Sequence, residues 1–127
     1  ISFAIIDKRR PKANKAEVVN LIGDLKNKHV LIIDDMIDTA GTTCNAANAA
    51  IEHGALSVIA VATHPVLSGP ALKRLKQSKI KQIIVCNTIE MNKEKQFNKI
   101  KVVSVADVFG EAIKRIVDGT SLSSMFK

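Results

Sequence analysis

Apolar positions along this chain fall into two rhythms, and each rhythm predicts a kind of element. SFAIID and EVVNLIGD are short apolar runs that read as strands, the second closed by a glycine and an aspartate. Between them KRRPKANKA is basic and broken by Pro11 and Asn14, so it reads as an exposed connection. HVLIID is apolar without alternation, which predicts a central strand buried on both faces. TTCNAANAAIEHG then changes to helical spacing, with Ala47, Ala50 and Ile51 on one face and Gly54 as the stop. LSVIAVAT gives a strand, PALKRLKQ a helix with Pro70 in its first turn, and KQIIVCN and IKVVSV two further strands. Ser104 and Asp107 form an S-x-x-D capping signature before ADVFGEAIKRIVDG, whose Val108, Phe109, Ala112, Ile113, Ile116 and Val117 share one face. Strand and helix alternate through most of the chain, which predicts an α/β fold: an open, mostly parallel sheet with helices on both faces.

Composition narrows this picture. With 127 residues, 46% of them hydrophobic, the chain is long enough for one domain with a real core. Only 3% are aromatic and there is no Trp or Tyr, so the core must be built from Ile, Val, Leu and Ala. Cys44 and Cys86 are far apart and lack CxxC spacing, so they read as buried free thiols of a reducing compartment. No apolar run reaches the roughly 20 residues of a membrane span, and the charges of ISFAIIDKRR follow its apolar stretch instead of preceding it. A soluble, cytoplasmic protein without membrane partners is expected. The chain starts at Ile1 inside an apparent strand, which reads as a fragment whose upstream region holds part of any active site. A net charge of +7 invites an acidic partner, and nucleic acid, nucleotide and phosphate all qualify.

The chemistry concentrates in IIDDMIDTAGTT, residues 32 to 43. Asp34, Asp35 and Asp38 repel one another unless cations or hydroxyls face them. They stand at the carboxyl end of the expected central strand, where open α/β sheets bind ligands. Thr39, Ala40, Gly41, Thr42 and Thr43 then lead into a helix whose free N–H groups and dipole favour an anion. Small side chains admit a phosphate to the backbone, and threonine hydroxyls add donors. The carboxylates suit the other end of the same ligand, sugar hydroxyls or a hydrated Mg²⁺. A phosphorylated sugar has both ends. The simpler alternative is an Asx-turn followed by Thr42 or Thr43 as a helix N-cap.

VLIIDDMIDTAGTT resembles the phosphoribosyl pyrophosphate loop of type I phosphoribosyltransferase folds. FAIIDKRRPKAN, NLIGDLKNKHVLIIDDMIDTAGT, ATHPVLSGPA and SLSSMF, in that order, resemble the C-terminal half of the ribose-phosphate pyrophosphokinase family. The resemblance is strongest over Ile5 to Thr43 and weakest over Met91 to Lys99. It implies that residues 1–127 form a C-terminal phosphoribosyltransferase-like domain, with the N-terminal half of the enzyme outside this chain. The implied reaction, part of nucleotide biosynthesis, moves the diphosphoryl group of ATP to the C1 hydroxyl of ribose 5-phosphate and needs Mg²⁺. Asp34 and Asp35 would face the ribose hydroxyls or the metal, and Asp38 through Thr42 would hold the 5-phosphate, with Thr43 at the edge and Asp38 acting through its backbone. Lys8 and Arg10 match a catalytic pair; two apart on an extended segment they share a face, with Arg9 opposite. Ser121, Ser123 and Phe126 match positions of a regulatory phosphate and nucleotide site between subunits. Dimers assembling to a hexamer are implied for the intact enzyme, and the fragment alone is expected to be inactive.

Three other readings compete with this one. A base phosphoribosyltransferase shares the DD…TAGT loop but lacks the IDKRRPKAN segment. A non-catalytic regulatory subunit commonly loses site residues, whereas Lys8, Arg10, both aspartates and Thr-Ala-Gly-Thr are all here. A basic nucleic-acid-binding domain would need stacking aromatics or zinc spacing, and neither is present. His64 precedes Pro65 at a strand end and, like His29 and His53, reads as structural.

Overall fold

A computed structural model of the chain describes residues 4–9 and 18–126. Six strands and three helices follow one another: β1 (Ile5–Arg9), β2 (Val18–Ile22), β3 (His29–Met36), α1 (Gly41–Glu52), β4 (Ser57–His64), α2 (Ala71–Gln77), β5 (Ile80–Cys86), β6 (Ile100–Val103) and α3 (Ala106–Val117). Short 3-10 turns lie at Lys93–Lys95 and Ser123–Phe126. β3, β4, β5 and β6 form a parallel sheet in that order, while β1 and β2 form a separate antiparallel pair with Ile5 opposite Ile22 and Arg9 opposite Val18. The expected parallel sheet with helices is therefore present, with the first two strands outside it. Their connection is too short for a parallel crossover, which needs a dozen or more residues, so they return antiparallel. Of the basic connection read between them, residues 8–16, Lys8 and Arg9 belong to β1 and residues 10–16 lie outside the described residues.

Helix ends are tied down by contacts both local and distant. α1 stops at a Schellman motif: Gly54 has φ 87, its N–H bonds the Ile51 carbonyl, and the Ala55 N–H reaches back to Ala50. α2 is held at its C-terminus by Lys99, whose ammonium donates to the carbonyls of Lys76 and Ser78 at 3.1 and 2.9 Å. Before α3 the expected capping box gives way to a simpler arrangement. Val105 is the N-cap, and the Ser104 hydroxyl accepts the Ala106 N–H at 3.2 Å.

The core is aliphatic, as the lack of aromatics requires. Val58, Ala60 and Ala62 of β4 and Ile80, Ile83 and Val85 of β5 pack with Ala47 and Ala50 of α1 and Leu75 of α2, all buried. Partly buried Met91 and Phe97 close it from the β5–β6 connection. The alternation of β4 places these residues on one face and leaves Ile59 and Val61 on the other, only partly covered. Two expectations change here. The pattern of HVLIID predicts a central strand buried on both faces, yet among the described residues β3 is the sheet edge, paired only with β4, and Leu31 and Ile33 are 56% and 74% exposed. An apolar run reports that a strand needs cover, not which segment supplies it. Likewise, Val108, Phe109, Ile113, Ile116 and Val117 of α3 do share a face, and that face is exposed. The cysteines are free but half-buried, not fully buried, and burial holds the Cys44 thiol above its ordinary range.

Candidate functional site

The residues at the end of β3 and the start of α1 enclose an open cleft of about 280 Å³, lined by Asp34–Met36 and Asp38–Thr43. Asp34 lies opposite Ala62 of β4 and Met36 opposite His64, so the cleft sits at the carboxyl end of the parallel strands. Every residue of the loop that the sequence singled out meets here.

The aspartates divide their work. Asp34 Oδ1 accepts the Asp35 N–H at 2.9 Å, and Asp35 Oδ1 accepts the Met36 N–H at 2.7 Å. These bonds orient both carboxylates while the side chains stay exposed to the cleft. Asp38 is used differently. Its carboxylate accepts the Ser68 hydroxyl, and its carbonyl accepts the Ser68 N–H at 3.1 Å. This accounts for a third aspartate that charge alone made hard to place: its side chain faces the neighbouring segment of the fold.

That segment templates the loop. After β4, the chain returns alongside residues 36–38, with the Ile37 N–H on the His64 carbonyl and the Leu67 N–H on the Ile37 carbonyl, both 3.0 Å. Ile37 and Leu67 are buried between them, at 1% and 3% exposure. At the N-terminus of α1, Ala40 is the N-cap with φ 59 and ψ 9, and its methyl side chain makes no cap bond. A left-handed conformation is unfavourable for a residue with a Cβ, by about 1–2 kcal/mol. It is held here by the burial of Ala40 and by the Cys44 N–H bonding its carbonyl at 3.0 Å. Thus neither Thr42 nor Thr43 serves as the N-cap, and Thr43 is instead buried. The turn leaves the start of α1 suited to an anion, through backbone N–H groups and the helix dipole.

Sequence reasoning missed two contributors. Ser68 and Arg74 are 30 and 35 residues away from the atoms they bond, Asp38 and Thr39, and no local pattern announces them. Arg74 Nη1 donates to the Thr39 carbonyl at 3.0 Å. Of the catalytic pair suggested by resemblance, Lys8 lies in β1 with its backbone opposite Val19, and Arg10 lies outside the described residues. Ser123 and Phe126 bound the last 3-10 turn. Ser121 lends its carbonyl to Arg115 Nη1 at 3.0 Å, which ties this tail to α3. The histidines make structural bonds. His64 Nδ1 meets Thr88 Oγ1 at 2.9 Å, and that hydroxyl donates to the Thr63 carbonyl at 3.0 Å, so the ring supplies the proton between them. His29 bonds Ser57, and His53 bonds the Ala49 carbonyl.

Comparison with known proteins places this geometry in a lineage. The family model described as phosphoribosyl synthetase-associated domain matches residues 4–127. The chain belongs to that family. It is 58% identical over 124 residues to the ribose-phosphate pyrophosphokinase of Caldanaerobacter subterraneus subsp. tengcongensis, and 57% identical over 124 residues to that of Halalkalibacterium halodurans. Each match covers 98% of this chain and 39% of the relative, so the chain spans well under half the length of these enzymes. The crystal structure of phosphoribosylpyrophosphate synthetase from Mycobacterium smegmatis is similar in fold, with a TM-score of 0.82 at 37% identity, covering 91% of this chain and 37% of that one. The family expected from the sequence is thus the family observed, as is the α/β fold. No described helix is long and apolar enough to cross a membrane.

Proposed function

We propose that this chain carries the sugar phosphate site of a ribose-phosphate pyrophosphokinase. In the proposed reaction, the C1 hydroxyl oxygen of ribose 5-phosphate attacks the β-phosphorus of ATP. The bond from that phosphorus to the α,β-bridging oxygen breaks, AMP leaves with the oxygen, and the hydroxyl proton passes to solvent or a base. The observation that carries the proposal is the pairing, in one cleft, of two exposed, oriented carboxylates with a helix start whose N-cap is an alanine. Asp34 and Asp35 then face the ribose hydroxyls. Backbone N–H groups from Asp38 to Thr42, with the threonine hydroxyls, receive the 5-phosphate, and Thr43 supports the turn from within the core.

The same carboxylates fit Mg²⁺. Each has its Oδ1 engaged by a backbone N–H, which fixes the direction in which the carboxylate faces the cleft. Mg²⁺ is commonly held by one or two carboxylates with retained waters and phosphate oxygens, so no closed protein cage is required. Among the described residues there is no cluster of three or more His, Cys, Asp or Glu side chains that would form one. When bound, the ion would neutralise charge on the diphosphoryl group as it moves. Following the resemblance, Lys8 and Arg10 are assigned to the same charge, because phosphoryl transfer depends on positioning and electrostatics. ATP, oligomeric assembly and a regulatory role for Ser121, Ser123 and Phe126 belong to the intact protein under this proposal.

The test uses the full-length protein: AMP release from ATP and Mg²⁺, with and without ribose 5-phosphate. Release that depends on the sugar phosphate is expected. A folded protein that binds ribose 5-phosphate without releasing AMP would refute the assigned reaction and favour a base transferase or a regulatory subunit.

A further inference from the structure

We infer that Arg74 is a positioning residue for the phosphate end of the cleft, setting the direction in which the Thr39–Ala40 peptide presents its N–H. This deepens the proposed function and rests on it. In a trans peptide the carbonyl and the following N–H point to opposite sides of the chain. Arg74 Nη1 holds the Thr39 carbonyl toward α2 at 3.0 Å, so the Ala40 N–H turns away from α2. Ala40 lines the cleft although it is only 4% exposed, and its left-handed backbone turns the chain into α1 at that point. A carbonyl fixed by a charged donor also polarises its peptide, which strengthens the N–H as a donor to an anion.

The neighbouring residue reports how close the guanidinium stands. A Cβ on Gly41 would lie 3.3 Å from Arg74 Nη1 and 3.9 Å from Thr39 Oγ1. A side chain at residue 41 would press on the guanidinium and shift it by a few tenths of an ångström, so Arg74 stands close against the loop. The base of Arg74 is firm as well: its N–H bonds the Pro70 carbonyl at 3.0 Å, and Ala71 and Leu75 on either side of it are fully buried. Held to the loop by its bond to the Thr39 carbonyl, the exposed guanidinium adds positive potential near the cleft without being among its lining residues.

The test is steady-state kinetics of Arg74→Met and Arg74→Lys in the full-length protein. For Arg74→Met, the KM for ribose 5-phosphate should rise roughly tenfold, as expected for loss of one charge-assisted bond. The KM for ATP should stay within about twofold, a split that general loosening of the fold would not produce. Arg74→Lys, which keeps a charged donor, should recover ribose 5-phosphate KM to within about threefold of the parent. If Arg74→Met does not fold, Arg74→Gln carries the same expectations. A lowered Tm with unchanged ribose 5-phosphate KM, or equal rises for both substrates, overturns the inference while leaving the proposed function standing. A parent protein that neither binds nor consumes ribose 5-phosphate overturns both.

Discussion

At the scale of single residues, the cleft depends on Ala40 more than on its better advertised neighbours. Its φ of 59 sets where α1 begins, and its burial leaves little room for a larger side chain. Ala40→Gly should shift stability by no more than about 1 kcal/mol, because relief of left-handed strain and added freedom of the unfolded chain oppose each other. Ala40→Val should lose about 2–4 kcal/mol, since it adds overpacking to a backbone region hostile to β-branched residues. Urea denaturation of the two variants separates these outcomes, and similar stability in both would show that the turn is not constrained as described. Cys44, four residues on, is an inert neighbour by comparison: burial raises its thiol above the ordinary value of 9.0, although Arg74 and Lys99 oppose the shift.

At the scale of elements, helix ends carry the placement of the site. α1 has to start at the cleft and stop where β4 can enter the sheet, and the Schellman motif at Gly54 performs the second task. With φ 87 at that glycine, Gly54→Ala should cost about 1–2 kcal/mol, read as a lower denaturation midpoint with an unchanged slope. A neutral result would mean that the helix end relaxes to another cap. The element after β4 shows why the site is more than a loop. Residues 64–68 bond residues 37 and 38 through backbone and side chain, so the cleft is built against a second segment.

At the scale of the whole molecule, the sheet and α3 present apolar surface among the described residues. Leu31 and Ile33 on β3, and Phe109, Ile113, Ile116 and Val117 on α3, are all more than half exposed. In the 127-residue chain, Phe109→Ser and Ile116→Ser should therefore change stability by less than about 0.5 kcal/mol, as surface substitutions do. They should also reduce self-association, because large exposed apolar patches drive it. Sedimentation velocity beside thermal unfolding checks both. A loss of several kcal/mol would show that the α3 face is packed within the chain.

The sequence by itself determined the strands, the helices, the family and the stretch on which the cleft is built, because periodicity, the Gly54 stop and the DDMIDTAGTT run are local signals. That Asp34, Asp35 and residues 38 to 43 would line one cleft was legible for the same reason: a strand that ends in carboxylates and runs through small residues into a helix keeps them within one short segment. What only the tertiary structure decided is everything supplied across the fold. It put β3 at the edge of the described sheet, gave the Asp38 carboxylate to Ser68, and brought Arg74 to the back of the loop. Those outcomes depend on which segments pack together, and hydrogen bonds spanning 30 or 35 residues leave no trace in local spacing.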